Sequence, residues 1–438
     1  MGSRYGNEFL KAVWHLHPSS KLTSLSGETI CICSSGEYDT TTGKFSGAEI
    51  NIDGTIYYGD IITGSESACN GKTGTNNPEY TRNPNNHINT ILQIVLEPSP
   101  VILKSNGEPV TQAILPIDPK QLTAYERLRD GAGEYHCARH IASMESHERI
   151  AMYTRLLADR MARKCRDIRN IYNEHDQNWN ETMYVMLMRT MGDSKNKEAF
   201  TELARRVRYT AISRERNSIV YVEAMLLGAS GLLEMYDDDS YIRDLKTTFN
   251  YLRQKYSIVP MEAGYWIISR TNPNNHPVLR IAQMAMFLST REFLFDHMIK
   301  CRTVEDIHRM FRTEASQYWS THYIPSHPSY EHPKRIGHFK ASLLGINLTV
   351  PMMFAYADYT GEEKLKETAL DLLEKINCED NRFINAWRAG GVIMESAFDS
   401  QAMLQLNNEF CRKELCWQCP VCRYVLRKLT AKDPSITY

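Results

Sequence analysis

Four cysteines lie within twelve residues near the C-terminus, in the segment CRKELCWQCPVC at 411–422. Cys416 and Cys419 have the Cys-x2-Cys spacing, at which a tight turn directs two sulfurs at one metal ion. Cys411 and Cys422 would complete a tetrahedral set, and Pro420 provides the bend. Four thiolates fill the coordination shell of zinc and leave no position for a substrate, so such a site would be structural.

Two other interpretations of this cysteine segment stay open. The Cys-x2-Cys-x2-Cys run is similar to part of an iron–sulfur ligand pattern, although the Cys-Pro that follows in that pattern is absent. A cluster of reduced thiols that binds no metal would have the same sequence. We predict a structural zinc ion, with an iron–sulfur cluster as the lesser alternative.

Basic residues are concentrated in two parts of a chain whose formal net charge is −1. Residues 155–216 contain 14 basic and nine acidic residues, and residues 411–438 contain six basic and two acidic ones. A net charge near zero provides no long-range field that attracts nucleic acid, so any such contact would be local. Arg205, Arg206 and Arg208 are the candidates for a basic, binding helical face. A solvated helix surface with i,i+4 ion pairs is the alternative.

Two further polar residues stand on otherwise apolar helical segments. Arg280 lies in VLRIAQMAMFL, and His322 follows the aromatic pair Tyr318–Trp319. One interpretation is that they line a binding groove. The other is that they are buried polar residues that satisfy helix ends.

The first 120 residues have the pattern of a small α+β domain. A helix is predicted at 6–17, and the segments ETICICSSGEY and GAEINIDGTIYYGDIITG alternate apolar and polar residues as strands do. Asp53-Gly54 suits a two-residue hairpin turn. The segment HINTILQIVLE is apolar enough for a strand buried on both faces, and residues 64–86 are predicted to form a long exposed loop.

From residue 121 onward, apolar residues recur at helical spacing, as in SHERIAMYTRLLADRMARKCRDIRNIY, and no fixed repeat period is present. We therefore predict an α+β protein with three parts. A small β-rich α+β domain at 1–120 is followed by a large, irregular all-helical domain at 121–425, which ends in the cysteine knuckle. A basic, flexible tail occupies 426–438.

The lengths of the apolar segments and the number of cysteines indicate the cellular compartment in which we expect the protein. The chain begins without the apolar segment of a signal peptide, and no apolar run approaches the roughly 20 residues of a membrane helix. The segment LLGINLTVPMMFAYA is shorter and is interrupted by Pro351. Eleven cysteines, an odd number, favour reduced thiols over a disulfide framework. We expect a cytoplasmic protein without a membrane partner.

The helical segments resemble a bacterial family of uncharacterised proteins, domain of unknown function 2851. The blocks that carry this resemblance are ETMYVMLMRTMG, VEAMLLGASGLLE, HPVLRIAQMA, EASQYWSTHY, VPMMFAYADYTGEEKLKETALDLLE and DSQAMLQLNNEFCRKELCWQC. The closing Cys411, Cys416 and Cys419 are similar to the family's cysteine ending. Cys422 falls where the resemblance leads us to expect glycine.

The resemblance also implies an acidic site in the N-terminal domain that this chain has lost. The family pattern places an Asp at the start of one strand and a Glu two residues before a His on the next, a layout similar to that of Mg²⁺-dependent nucleases. In this chain Lys44 stands at the Asp, Ile62 at the Glu and Gly64 at the His. Replacing two carboxylates by Lys and Ile removes the charge that would bind a divalent cation.

These observations predict a non-catalytic protein that works by binding or assembly, with nucleic acid as the candidate partner. The alternative is an enzyme, a metal-dependent nuclease or phosphodiesterase whose metal ligands lie elsewhere in the sequence. Chelator-sensitive cleavage of nucleic acid would distinguish the enzyme from the binding protein.

Overall fold

The computed structural model describes residues 6–16, 21–39, 41–64, 87–100, 102–104, 106–117, 119–129, 135–236, 239–268 and 271–430. Contacts between these residues divide the chain into two compact units. The sheet unit consists of Met1–Met152, Arg382–Ile393 and Leu404–Tyr438, and the helical unit consists of Tyr153–Asn381 and Met394–Met403.

The sheet unit contains a seven-stranded mixed sheet. Its strands are β1 (Lys21–Thr23), β2 (Thr29–Ser34), β3 (Glu37–Asp39), β4 (Lys44–Ile52), β5 (Thr55–Thr63), β6 (Thr90–Val95) and β7 (Thr111–Ile114). The order is β1-β2-β4-β5-β6-β7, and β3 pairs with β4. Strands β1 to β5 pair antiparallel, whereas β5, β6 and β7 are parallel neighbours. All six residues of β6 are buried, Thr90 and Gln93 among them, as predicted from its mostly apolar sequence.

The turn between β4 and β5 is the hairpin predicted from the Asp-Gly pair. Ile52 pairs with Thr55, and the two residues between them have positive φ, 46° at Asp53 and 94° at Gly54. Two successive positive φ values define the turn that matches the twist of a two-residue hairpin, and Asp and Gly tolerate them best. The Asp53 carboxylate also accepts a hydrogen bond from the Thr29 amide at 3.0 Å, which ties the turn to β2.

Helices form most of the remaining structure. They are α1 (Gly6–Leu16), α2 (Pro119–Arg129), α3 (Ala138–Ala142), α4 (Ser146–Glu174), α5 (Trp179–Met191), α6 (Lys197–Arg206), α7 (Tyr209–Glu215), α8 (Ile219–Ala229), α9 (Ser240–Lys255), α10 (Pro277–Thr290), α11 (Leu294–Ile299), α12 (Val304–Met310), α13 (His338–Leu344), α14 (Val350–Thr360), α15 (Glu363–Lys375), α16 (Arg382–Ala389), α17 (Ala397–Leu406) and α18 (Pro420–Thr430). A two-stranded sheet of β8 (His322–Ile324) and β9 (His327–Pro328) interrupts them. None of the described helices is long and apolar enough to cross a membrane. The predicted α+β fold class is confirmed.

The core of the helical unit is built from helices that are apolar on nearly all sides. In α8 every residue from Val222 to Ala229 is buried, and α5 and α10 are buried along most of their lengths. A helix without a polar face can be stable only when neighbours cover it all round. These three helices therefore lie inside the helical unit, and charged residues of the more amphipathic α4 and α6 remain at its surface.

A π-helical segment at Gly345–Thr349 joins α13 to α14. Pro351 lies in the first turn of α14 and has no backbone N–H, so it cannot donate to the carbonyl of residue 347. The wider turn of a π-helix accommodates this missing bond, and such segments are frequent at functional sites. Asn347 is the middle residue of the segment.

The two units differ in extent from the domains predicted from the sequence. The sheet unit continues past residue 120 and includes two later segments, and α18 extends through part of the predicted tail, to Thr430. The rest of that tail, 431–438, and nearly all of the predicted loop, 65–86, lie outside the described residues.

Candidate functional site

Lys44, the first of the three positions at which the resemblance leads us to expect polar ligands, begins β4. Its Nζ lies 3.9 Å from Asp60 Oδ2 on β5 and donates to Thr90 Oγ1 of β6 at 3.4 Å. The lysine thus places a positive charge where the resemblance leads us to expect a carboxylate. It also holds Asp60 in an ion pair.

The other two positions, on and just after β5, have no polar side chain. Ile62 is buried and packs in an apolar cluster with Ile102 and Val110. Gly64 has φ +83°, a backbone conformation that L side chains rarely adopt, and a Cβ at this position would displace the Asn7 side chain of α1. The left-handed backbone therefore favours glycine over His at this position. No group of three or more His, Cys, Asp and Glu side chains in the described ranges is arranged to hold a metal ion.

The three arginines predicted to form a basic face each lie beside a carboxylate. Arg205 Nη2 is 3.0 Å from Glu174 Oε2, Arg206 Nε is 2.7 Å from Glu202 Oε1, and Arg208 Nε is 3.8 Å from Glu181 Oε1. Arg206 also donates to the carbonyls of Val259 and Pro260. The acidic partners cancel much of the positive charge that the sequence concentrates here.

Arg280 and His322 take part in local hydrogen bonding within the helical unit. The buried Arg280 guanidinium donates to Gln283 Oε1 at 2.9 Å and to Asn275 Oδ1 at 2.5 Å, and burial lowers its pKa. The His322 ring stacks on the Tyr318 ring with 4.2 Å between centroids, and its Nδ1 lies 3.1 Å from the Tyr318 carbonyl. These contacts explain both residues as parts of the packing around α10 and β8. Their roles in binding stay a prediction.

The four C-terminal cysteines lie on a short, tightly turned segment of the sheet unit. Cys411 ends a π-helical turn, Cys416 begins a 3₁₀ turn, and Cys422 lies in the first turn of α18. The Cys419 amide donates to the Cys416 carbonyl at 3.0 Å, which closes the knuckle predicted from the Cys-x2-Cys spacing. The Cys416 sulfur accepts a hydrogen bond from Arg129 Nη1 at 2.9 Å.

A fifth thiol, Cys137, belongs to the same neighbourhood although it is far away in the sequence. Tyr135 Oη donates to Asn407 Oδ1 at 2.8 Å, which ties the start of α3 to the turn that ends at Cys411. Burial raises the pKa of Cys137 to about 12, and the charge of Cys416 acts in the same direction. The pKa values of Cys411, Cys419 and Cys422 are raised by burial and, further, by the charge of Cys137. The charge of Cys137 thus acts on Cys411, Cys419 and Cys422, and that of Cys416 acts on Cys137, a relation that no local spacing could reveal.

A basic groove lies between α2, α3 and α18 in the sheet unit. It has a volume of about 1140 Å³ and opens to solvent. Its lining residues are Pro119, Lys120, Thr123, Ala124, Arg127, Arg139, His140, Ser143, Tyr424, Val425 and Lys428, with no Asp or Glu among them. The four Lys and Arg side chains are exposed, and one of them, Lys428, lies 3.6 Å from Glu148 Oε2 of α4. The groove therefore presents a net positive charge to solvent.

The three helices place the charged side chains of the groove on facing walls. Lys120 and Arg127 are seven residues apart on α2, which puts them on one face of that helix. Tyr424 and Lys428 are four apart on α18, and Lys428 Nζ lies 4.6 Å from the Tyr424 ring centroid. On α3, burial and the charge of Arg139 lower the pKa of His140. The sequence contains this i,i+4 and i,i+7 spacing, but nothing in it brings α2 and α18 together.

These features define an α+β protein whose sheet unit contains a basic groove and a group of cysteines, with Lys44, Ile62 and Gly64 on and beside β4 and β5. A sequence model of the family described as "Protein of unknown function (DUF2851)" matches residues 7–382, and the chain belongs to this family. The matched range ends before the cysteine segment at 411–422. Neither a curated protein nor a solved structure matches the chain.

Proposed function

We propose that this protein binds single-stranded nucleic acid without cleaving it, and that the basic groove of the sheet unit holds the strand. The observation that carries the proposal is a groove of about 1140 Å³ lined by four Lys and Arg side chains and by no carboxylate. Nucleic acid binds largely through its phosphates, and each phosphate that a Lys or Arg neutralises releases a bound counterion.

The shape and composition of the groove favour a flexible strand over a compact ligand. An open groove admits a chain that enters and leaves at its ends, whereas a small molecule binds best in an enclosed pocket. Tyr424 offers an aromatic ring on which a base can stack beside the cation of Lys428. Positive charge along a groove together with an accessible aromatic ring is the usual combination in proteins that bind single strands without sequence preference, and Tyr424 is half-buried in the groove wall.

The residues at the family's acidic positions support binding over cleavage. Cleavage by a metal-dependent nuclease needs carboxylates that hold Mg²⁺ near the scissile phosphate. Here Ile62 is packed among apolar residues, Gly64 has the positive φ that favours glycine, and Lys44 adds a positive charge. We therefore propose that the nuclease-like layout is degenerate and that the sheet remains as a scaffold for the groove.

Two charge-matched triple variants test where the strand binds. In the first, Arg127→Gln, Arg139→Gln and Lys428→Gln remove three cations from the groove. In the second, Arg205→Gln, Arg206→Gln and Arg208→Gln remove three cations that are paired with carboxylates. Both variants change the net charge equally, so a difference between them reports location. The binding of a fluorescein-labelled single-stranded DNA oligonucleotide is followed by anisotropy at several salt concentrations.

We expect the groove variant to bind at least about tenfold more weakly, and the slope of log K against log salt to become less negative by about 2. The paired-arginine variant should stay close to wild type in both quantities. A larger loss in the paired-arginine variant would locate binding at the face predicted from the sequence and overturn the groove proposal. Thermal melting of each variant controls for damage to the fold.

We also propose that the protein resides in the cytoplasm. None of the described cysteines forms a disulfide, and Cys31 and Cys33 are exposed, as suits a reducing compartment. Trapping thiols with an alkylating agent at cell lysis should modify all of the accessible cysteines. A disulfide-linked peptide recovered from the alkylated protein would contradict this location.

A further inference from the structure

The helical unit contains a second basic cavity, separate from the groove of the sheet unit. Its volume is about 350 Å³, and residues of α4, α5, α13 and the π-helical segment line it. Its charged lining residues are Arg160, Arg163, Lys164, Arg189, Lys197 and Lys340 against Asp167 and Asp193. Six cationic and two anionic side chains therefore line the cavity, which gives it an excess of positive charge.

The spacing of α4 explains one wall of this cavity. Arg160, Arg163, Lys164 and Asp167 follow one another at i, i+3, i+4 and i+7, which places all four on one face of the helix. The π-helical segment forms part of another wall. Asn347 Oδ1 accepts a hydrogen bond from Lys164 Nζ at 3.0 Å, so the wide helical turn fixes the lysine in the cavity.

Several of these cations are held in a setting that disfavours their charge. Arg160 and Lys340 are only 9% and 7% exposed. Burial lowers the pKa of Arg160 to about 10, and the pKa of Lys164 is lowered by burial and by the neighbouring charges of Arg160, Arg163 and Lys197. An anion in the cavity would stabilise the charged forms of all these side chains.

The carboxylates around the cavity are already engaged with individual cations. Asp193 Oδ1 accepts from Lys340 Nζ at 2.5 Å, and Glu198 Oε1 lies 3.9 Å from Arg189 Nη2. Glu379 is linked to Arg160 and Lys164 through Gln401. The Gln401 side chain donates to Glu379 and accepts from both cations. These carboxylates position individual Lys and Arg side chains, but there are fewer carboxylates than cations around the cavity.

We infer that this cavity binds the diphosphate group of a small molecule. Phosphate oxygens accept charge-assisted hydrogen bonds from Arg and Lys, which are the donors that line the cavity. Cations on α4 face others at Arg189 and Lys197, and two walls of donors suit two linked phosphates. A volume of about 350 Å³ lies in the range of small-molecule sites, roughly 300–1,000 Å³.

Calorimetric titration of the full chain with inorganic pyrophosphate tests this site at constant ionic strength. We expect one saturable site per chain and weaker binding of inorganic phosphate. The double variant Arg189→Gln with Lys197→Gln should raise the Kd for pyrophosphate at least about tenfold, because it removes two charge-assisted contacts. Lys197 is exposed and Arg189 half-buried, so the fold should tolerate both changes. Arg205→Gln with Arg208→Gln is the charge-matched control and should leave the Kd unchanged.

Three results would overturn the inference. They are the absence of saturable pyrophosphate binding, equal affinity for phosphate and pyrophosphate, and equal weakening in the control variant. A rise in the melting temperature of wild-type protein with pyrophosphate, absent in the Arg189/Lys197 variant, is a second readout that needs no heat signal. Because the variants avoid the groove, failure here leaves the nucleic-acid proposal untouched.

Discussion

Replacing Glu379 by Gln is expected to destabilise the helical unit by about 3–5 kcal/mol, because it leaves buried cations without their counter-charge. Glu379 Oε2 accepts hydrogen bonds from Ser400 Oγ at 3.0 Å and from Gln401 Nε2 at 2.6 Å. Gln401 Oε1 in turn accepts from Arg160 Nε at 2.6 Å and from Lys164 Nζ at 3.1 Å. The substitution keeps the size of the side chain and removes only its charge and one acceptor.

The free energy of unfolding, measured by urea denaturation at neutral pH, checks this expectation. Glu363→Gln is the matched control, since its carboxylate pairs with Lys366 at the surface of the same unit. Exposed ion pairs contribute little to stability, so the control should shift the urea midpoint far less. Equal midpoints for the two variants would mean that the network around Gln401 does not depend on a charged Glu379.

Removing the zinc that we propose at the cysteine cluster is expected to unfold the segment around Cys411–Cys422. A structural zinc ion contributes apparent binding free energy of roughly 10–16 kcal/mol to a small site, strongly dependent on pH. Burial raises the pKa values of Cys411, Cys419 and Cys422, and the charge of Cys137 raises them further. No three of the described thiols are arranged to hold a metal ion in this conformation, so zinc binding would have to draw the sulfurs together. We expect Cys137, Cys411, Cys416 and Cys419 to be the ligands.

Elemental analysis should therefore find about one zinc per chain, and Cys137→Ser should lose it. Cys422→Ser should retain zinc if Cys137 is the fourth ligand, and should lose it if the four C-terminal cysteines form the site. Cys31→Ser, at an exposed position of β2, is the control that should change nothing. Bound iron with sulfide would favour the iron–sulfur alternative. Protein that contains no metal and whose melting temperature does not change with a chelator would refute both the zinc site and the iron–sulfur cluster.

Local sequence signals predicted strands β2, β4, β5 and β6 of the sheet but not β1 or β7. Asp53-Gly54 predicts its hairpin because few other residues adopt two positive φ values in succession. The mostly apolar sequence of β6 predicts burial on both faces, and its central position between β5 and β7 agrees with this. The parallel pairing itself could not be predicted, because it depends on the path of the chain between β5 and β6.

Contacts between distant parts of the chain were beyond the sequence. Cys137 is 274 residues before Cys411, and no spacing rule connects them. The basic stretch at 155–216 was recognised, but formal charge could not separate Arg205, which is paired with Glu174, from Lys164, which faces a cavity. Whether a basic side chain pairs with a carboxylate or lines a cavity depends on which residues pack against its helix face. Only the folded chain determines this packing.

The central claim is that this protein binds single-stranded nucleic acid without cutting it. The most direct test titrates a labelled single-stranded DNA oligonucleotide with the full chain at low and moderate salt, first in EDTA and then in Mg²⁺. We predict a saturable rise in anisotropy, a log K that falls linearly with log salt, and intact DNA after incubation in Mg²⁺. No rise at low salt, or cleavage that EDTA abolishes, would contradict the account.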